Sequence, residues 1–159
     1  IGFVSLPGPP WGGYAQVSGV TKTEGIELTA LAKITSTAFI NASYAYTDSE
    51  EPDGSRVTRL PRHSLVVGLN MQPIDKLTLN VTGQYVADAV DNNAWPATGK
   101  GAVDDYFLLS AKVGYEVMPG TIAYVRGENL LDQDYVTAFN YNNPGMTVFG
   151  GVQFALPAK

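Results

Sequence analysis

The sequence has no cysteine, a single histidine and few charged residues. Without cysteine there is no disulfide framework and no thiolate metal site. Charged residues make up 16% of the chain, well below the roughly 25% typical of soluble domains. The formal net charge of -5 argues against a nucleic-acid partner, because phosphate binding needs clustered Lys and Arg.

Long apolar runs are also missing. No stretch reaches the about 18 apolar residues of a membrane-spanning helix, so the sequence predicts none. The N-terminal segment lacks the basic start and the apolar core of an intact signal peptide. We interpret residues 1–13 as an irregular lead-in or an extracellular loop.

What the sequence has instead is strict alternation of apolar and polar residues. The clearest case is LTLNVTGQY, residues 77–85, which places Leu and Val on one face and Thr, Asn and Gln on the other. This period of two is the signature of a half-buried β-strand. Related patterns cover segments 38–47, 63–72, 105–117 and 146–156, whereas 121–131 is ambiguous apart from Arg126 and Glu128, which share a face. Segment 14–33 can be interpreted as one long strand or two, and counting it once predicts about seven strands.

The connections between these strands alternate in length. Short ones with turn-forming Pro, Gly or Asp lie at 34–37, 72–76 and 117–120. Long ones lie at 48–59, 89–103 and 132–145. Short turns at one end, long loops at the other and strands of about ten residues are typical of an outer-membrane β-barrel. A soluble β-sandwich does not normally sort its loops in this way. The predicted fold class is therefore all-β, a transmembrane antiparallel β-barrel.

Five short motifs, in order along the chain, resemble the C-terminal part of TonB-dependent outer-membrane receptors. They are Gly25-Ile26-Glu27, Tyr44-Ala45-Tyr46-Thr47-Asp48, Leu60-Pro61-Arg62-His63, the run from Asn129 to Tyr135, and Pro144-Gly145. Such receptors resemble 22-stranded barrels with a plugged lumen, which a chain of 159 residues cannot supply. The resemblance implies that residues 14–156 are the C-terminal strands of a larger barrel and 157–159 a periplasmic tail.

The resemblance also implies a location, partners and a function. The chain would be integral to the bacterial outer membrane and contact its lipid, with an extracellular position for the long loops and a periplasmic C-terminus. The remaining strands and a plug domain would lie in another chain or a missing part, through which the TonB complex acts. The imported nutrient would be large and scarce, most often a ferric siderophore. No enzyme activity and no cofactor are implied.

Aromatic and amide side chains in the long loops are the best candidates for ligand binding. They offer stacking surfaces and hydrogen bonds to a bulky polar ligand, although packing of loop against loop is the alternative for each of them. The candidates are Trp95, Tyr135, Phe139, Tyr141 and Asn142.

No catalytic residue or metal ligand is predicted. The single histidine, His63, begins a strand and has no nucleophile placed beside it by the pattern. The acidic segment from Asp48 to Asp53 offers oxygen ligands that calcium favours, but it lacks the spacing of a calcium loop, so a solvated loop is the better interpretation. An outer-membrane hydrolase has no constellation in its favour. A self-contained eight-stranded barrel with a structural or adhesion role stays open if 14–33 splits into two strands near Val20 to Glu24.

Overall fold

The computed structural model describes residues 2–5, 8, 12–15, 18–93 and 99–155 of the chain. All regular secondary structure in these ranges is β-strand, which confirms the predicted all-β class. The strands are β1 (Gly2–Ser5), β2 (Gly12–Ala15), β3 (Lys22–Thr35), β4 (Ala38–Glu50), β5 (His63–Ile74), β6 (Leu77–Ala87), β7 (Ala89–Asn92), β8 (Lys100–Val103), β9 (Tyr106–Met118), β10 (Thr121–Glu128) and β11 (Thr147–Phe154).

Seven of these strands form one antiparallel sheet. Its order is β11-β10-β9-β6-β5-β4-β3, so each strand lies beside its neighbour in the chain, with only β7 and β8 set apart between β6 and β9. The other four strands form two hairpins, β1 with β2 and β7 with β8. This up-and-down connectivity is that of the membrane barrels predicted from the sequence.

Tight turns join the strands at one end of the sheet, at residues 36–37, 75–76 and 119–120. Lys76 has a φ of 65° and Gly120 a φ of 77°, the positive values that short hairpin turns need. The long connections lie at the opposite end: loop 1 (51–62), loop 2 (88–105, which contains β7 and β8) and loop 3 (129–146). The predicted alternation of short and long connections is confirmed.

The register separates an apolar from a polar face of the sheet. A row of directly paired residues on the apolar face runs Leu28, Tyr44, Leu65, Tyr85 and Phe107. A row on the polar face runs Phe39, Asn70, Asn80, Lys112 and Arg126. Because side chains alternate between faces, these pairings carry the sequence alternation across all seven strands.

The apolar face of the sheet is exposed among the residues that the structure describes. Leu28 is 60% exposed, Val113 45% and Val152 54%. Among the described residues, the buried apolar side chains are Ala38, Val86, Ala87 and Val103. A soluble monomer rarely exposes so continuous an apolar surface, whereas the wall of a membrane barrel presents such a surface to lipid.

The interpretation of 14–33 as one strand is wrong. Strand β3 begins only at Lys22, and the upstream strand β2 pairs with β1. The physical reason lies at Gly19, which has a φ of 121° and packs so closely on Pro52 that a Cβ there would lie 2.4 Å from the proline ring. The chain turns at this glycine against loop 1. Residue 14, where the barrel portion was predicted to begin, lies inside β2.

The split does not produce the eight-stranded barrel. That alternative needs the two halves of 14–33 to be neighbouring strands of the sheet, but β2 pairs with β1 and not with β3. Within the described ranges, the outermost strands β3 and β11 are not hydrogen-bonded to each other. The seven strands therefore form an open wall.

Loop 2 holds more structure than the sequence indicates. Ala89–Asn92 pairs with Lys100–Val103 in a short antiparallel hairpin. Its strands have only four residues each, too few for alternation to be recognised. Residues 94–98, including Trp95, lie outside the described residues.

Candidate functional site

The three long loops are hydrogen-bonded into one layer at their end of the sheet. The Arg59 N–H in loop 1 donates to the Val90 carbonyl oxygen in loop 2 at 2.8 Å. The Phe139 N–H in loop 3 donates to a carboxylate oxygen of Asp91 in loop 2 at 2.7 Å. Loop 2 therefore lies between the other two and contacts both.

Arginine–aspartate pairs fix loop 1 to the ends of the strands. Arg62 lies 2.8 Å from the Asp48 carboxylate and 3.3 Å from that of Asp88, which Arg56 also approaches at 2.6 Å. Burial raises the pKa of Asp88, but the two guanidinium groups outweigh it and hold the pKa below its usual range. Exposed pairs of this kind contribute only about 0–1 kcal/mol each, so the network orients loop 1 more than it stabilises the fold.

The carboxylate of Asp91 is fully buried at the centre of this layer. Its Oδ1 accepts from Arg59 Nε at 2.9 Å and from the Asn92 N–H at 2.9 Å, while its Oδ2 accepts from the Phe139 N–H. Burial raises the pKa of Asp91, but these three donors together outweigh it and lower the pKa. A buried carboxylate is tolerated because each of its oxygens is hydrogen-bonded.

The motif that follows β10 is a turn built by side-chain hydrogen bonds. Asn129 is buried, donates from Nδ2 to the Gln133 carbonyl oxygen at 2.9 Å and accepts the Gln133 N–H at 3.0 Å. Asp132 accepts the Met146 N–H at 2.7 Å, just before β11 begins. Both Asn129 and Asp132 have φ near 50°, at 48° and 50°, a conformation that Asn and Asp adopt more readily than most residues. These contacts fix where loop 3 leaves and re-enters the sheet.

A cavity of about 510 Å³ lies between the end of loop 2 and loop 3. Three of the predicted site residues, Tyr135, Phe139 and Asn142, line it together. The Tyr135 ring packs on Tyr106 with the ring centroids 4.9 Å apart. The cavity is thus lined by both aromatic and polar residues, and its volume is within the range of small-molecule sites.

The other two predicted site residues are not brought into this cavity. Tyr141 is 67% exposed and is not among the residues that line the cavity. Trp95 lies outside the described residues.

Sequence reasoning missed the acidic side of the cavity. Asp104, Asp105 and Asp134 line it, and Asp105 is also fixed by accepting the Tyr85 hydroxyl at 2.9 Å and the Asp88 N–H at 3.0 Å. The sequence did contain a signal for these residues, because two adjacent aspartates, Asp104 and Asp105, stand directly before the first residue of β9. Such residues at the rim of a barrel strand face the loops.

The groups considered for catalysis or metal binding are engaged in other contacts. His63 Nδ1 lies 2.8 Å from the Tyr44 hydroxyl, and its ring packs beside Tyr46 with the centroids 5.3 Å apart. In the acidic segment, Glu51 pairs with Lys100 at 3.0 Å. The described part of the chain contains no group of three or more His, Asp or Glu side chains arranged to hold a metal ion.

The polar face of the sheet carries a chain of asparagine side chains. Asn70 donates to Asn41 Oδ1 at 3.0 Å and accepts from Asn80 Nδ2 at 2.7 Å. Gly68 leaves room for this chain, because a Cβ there would lie 2.6 Å from Asn41 Oδ1. Beside it, a depression of about 700 Å³ opens near the tight turns. The wall therefore offers hydrogen-bonding groups on the face turned away from the apolar side.

Comparison with known proteins agrees with this architecture. A family model described as TonB dependent receptor-like, beta-barrel matches residues 3–130. The chain belongs to this family of TonB-dependent receptors. The family is one of receptors and transporters, not of enzymes.

Two relatives are receptors by name, and the first is also named as an outer-membrane transporter. The ferrichrome outer membrane transporter/phage receptor of Escherichia coli K12 is 25% identical over 84% of this chain and 19% of its own length. The ferrioxamine B receptor of Salmonella typhimurium is 26% identical over 86% of this chain and 22% of its own length. The chain therefore spans about a fifth of these relatives, whose nature supports an outer-membrane location.

Solved structures show the same fold. The copper transporter OprC superimposes with a TM-score of 0.74 at 20% identity, over 96% of this chain and 27% of OprC. The siderophore receptor PiuA from Acinetobacter baumannii gives a TM-score of 0.67 at 20% identity, over 84% of this chain and 22% of PiuA.

In the ranges that the structure describes, no helix is long and apolar enough to cross a membrane.

The TonB-dependent receptor motifs mark close backbone contacts in this sheet. A Cβ at Gly25 would lie 2.2 Å from the Tyr46 carbonyl oxygen on the paired strand, so β3 and β4 reach this spacing only because glycine stands there. A second motif, the Asn129–Asp132 turn, is held by side-chain hydrogen bonds to the backbone. Each of the two motifs thus has a local structural role in the wall.

Proposed function

We propose that this chain forms C-terminal wall strands and outer loops of a TonB-dependent receptor that imports a ferric siderophore. The observation that carries the proposal is the match to a receptor family, in a sheet that has one apolar and one polar face and a loop cavity at one end. The relatives named for ferrichrome and ferrioxamine B support an iron-chelate cargo. The function is transport, in which no bond of the cargo has to be made or broken by this chain.

In the proposed assembly, the exposed apolar face lies against lipid and the polar face lines the lumen. Loops 1, 2 and 3 are extracellular, the tight turns periplasmic, and the C-terminus periplasmic. The edges β3 and β11 pair with the remaining strands of the barrel, because an unpaired strand edge in lipid would leave backbone groups unsatisfied. A plug domain in the lumen couples the receptor to the TonB complex and its inner-membrane energy.

The ligand site that we propose on this chain is the cavity of loops 2 and 3. Tyr135 and Phe139 supply apolar and aromatic surface, and Asn142 a hydrogen-bonding amide. Bulky chelates with amide and aromatic groups suit such a lining. Tyr141 and Trp95, the other two candidates from the sequence, remain proposals as contacts from the outer surface.

The test uses the complete receptor gene that contains this chain. Cells lacking the gene are supplied with single ferric siderophores as the only iron source, and uptake of the radiolabelled chelate is measured with and without the restored gene. We expect restored uptake of at least one chelate. We expect about tenfold weaker half-saturation in Phe139→Ala, since truncating an aromatic side chain that contacts the ligand costs upwards of 1 kcal/mol.

Tyr141→Ala provides the comparison within the same loop. It removes an aromatic ring outside the cavity, and we expect a smaller effect on half-saturation than Phe139→Ala has. Equal losses in the two variants would place binding on the loop surface and not in the cavity. Wild-type cells that take up no ferric siderophore would contradict the proposed function itself.

A further inference from the structure

The fully buried carboxylate of Asp91 is the point at which the three loops meet. It is in loop 2, but its partners lie in loop 1, through Arg59, and in loop 3, through the Phe139 N–H. Asp91 does not line the cavity. Asp91 instead holds the backbone of Phe139, a residue that does line the cavity.

The contact to loop 3 is made at a residue of the cavity wall. The Phe139 ring also lies close to Gly101 of the hairpin, where a Cβ would be 3.3 Å from a ring carbon. Phe139 is therefore held at its backbone by Asp91 and at its ring by the hairpin. Both contacts lie on the side of Phe139 formed by loop 2.

The contact to loop 1 keeps this carboxylate charged and oriented. Arg59 Nε lies 2.9 Å from Oδ1, and the backbone N–H of Arg59 is itself fixed on Val90. Arg59 has a φ of 61°, which is uncommon for a non-glycine residue. Its side-chain contact to Asp91 and its backbone contact to Val90 are both made in this conformation. The Asp91 carboxylate thereby connects the guanidinium group of Arg59 in loop 1 to the backbone of Phe139 in loop 3.

We propose that Asp91 is a positioning residue for ligand binding: it holds Phe139 in place and so sets the shape of the loop cavity without touching the ligand. The inference rests on the proposed function, because it concerns affinity for the ferric chelate. Independently of any ligand, the Asp91 carboxylate fastens the backbone of loop 3 at Phe139, beside the other contacts that hold this loop.

The substitution Asp91→Asn tests both claims with minimal change of shape. Asn keeps Oδ1 for Arg59 and presents an NH₂ group to the Phe139 N–H, so a donor faces a donor. Asp53→Asn is the matched control, because Asp53 is an exposed acid of loop 1 whose Oδ1 accepts hydrogen bonds from the backbone and hydroxyl of Ser55. Both variants are made in the complete receptor and their levels in the outer membrane are compared.

Two quantities are measured on each variant. Amide hydrogen exchange of residues 134–143 reports the fastening of loop 3 without ligand. Binding and uptake of the radiolabelled ferric siderophore report the dissociation constant and the maximal rate separately. In Asp91→Asn we expect exchange and dissociation constant each to rise about tenfold, as loss of one charge-assisted hydrogen bond predicts, with the maximal uptake rate retained and Asp53→Asn like the wild type.

Each other outcome decides against the proposal. Unchanged exchange in Asp91→Asn would show that loop 3 is held by other contacts, and faster exchange with unchanged affinity would show a purely structural role. If Asp91→Asn fails to assemble, Arg59→Gln is used instead, because Arg59 is the exposed member of the Arg59–Asp91 pair. Amide exchange and ligand affinity equal to those of the wild type in Arg59→Gln would overturn the proposal. If the wild-type receptor binds no ferric siderophore, the proposed function and the claim about affinity are both refuted. Amide hydrogen exchange then still tests whether Asp91 fastens loop 3.

Discussion

At the scale of single residues, charge pairing decides how the loops stand above the sheet. Asp88 illustrates this, because it lies between two arginines and also ends β6 through its backbone. Its φ of 56° turns the chain from the sheet into loop 2. The same residue therefore directs the backbone and anchors loop 1.

The pKa of Asp88 gives a pH test of this anchoring. Its pKa is lowered because Arg56 and Arg62 outweigh the effect of burial, so the pairs are complete at neutral pH and are lost only as the pH falls below about 3.9, the value for a free Asp. We expect the carboxyl-carbon NMR signal of Asp88 to titrate below that value, and Arg62→Gln to raise its midpoint. A midpoint at or above about 3.9 in the wild type would contradict the pairing.

At the scale of the strand, neighbouring residues lie on opposite faces of the sheet, one apolar and one polar. Val81 and Thr82 are neighbours near the middle of β6, yet Val81 pairs with Leu69 and Ala111 on the apolar face, whereas Thr82 pairs with Gly68 and Ser110 on the polar face. In the proposed assembly, the side with Val81 meets lipid and the side with Thr82 meets the lumen. This division makes the two positions a matched pair.

A lysine at each position should therefore act differently. Val81→Lys places a charge on the lipid face near the midplane, where it costs about 2–4 kcal/mol, whereas Thr82→Lys places it on the polar face, where we expect less than half of that cost. Urea unfolding of the complete receptor in liposomes measures the difference. Equal destabilisation by the two lysines would show that the faces are not distinguished by lipid.

Alternation was enough to predict this much of the fold. The period of two in segments such as 77–85 fixes which residues share a face, and the turn residues fix where strands reverse, so seven strands and two faces followed from sequence alone. The break at Gly19 was missed because it depends on contact with Pro52, which is distant in the sequence. The buried role of Asp91 was missed for the same reason, since its donors come from two other loops.

At the scale of the whole molecule, the sheet has two chemically different ends. The end with the long loops carries the arginine–aspartate network and the aromatic cavity. In the described ranges, the opposite end joins its strands by tight turns, as at Asp75 and Lys76. A barrel wall of this kind can be inserted in only one sense if the loops are to meet a ligand from outside the cell.

The absence of cysteine from this chain allows that orientation to be tested directly. Single cysteines in the complete receptor, Gly54→Cys in loop 1 and Asn140→Cys in loop 3, should react with a membrane-impermeant maleimide on intact cells. Asp75→Cys and Pro119→Cys, in tight turns about 30 Å of hydrocarbon away, should react only after the outer membrane is permeabilised. All four positions are exposed, so access to the reagent and not burial controls the result. Labelling of the turn positions on intact cells, with the loop positions protected, would reverse the proposed orientation and remove the loop cavity from the extracellular side.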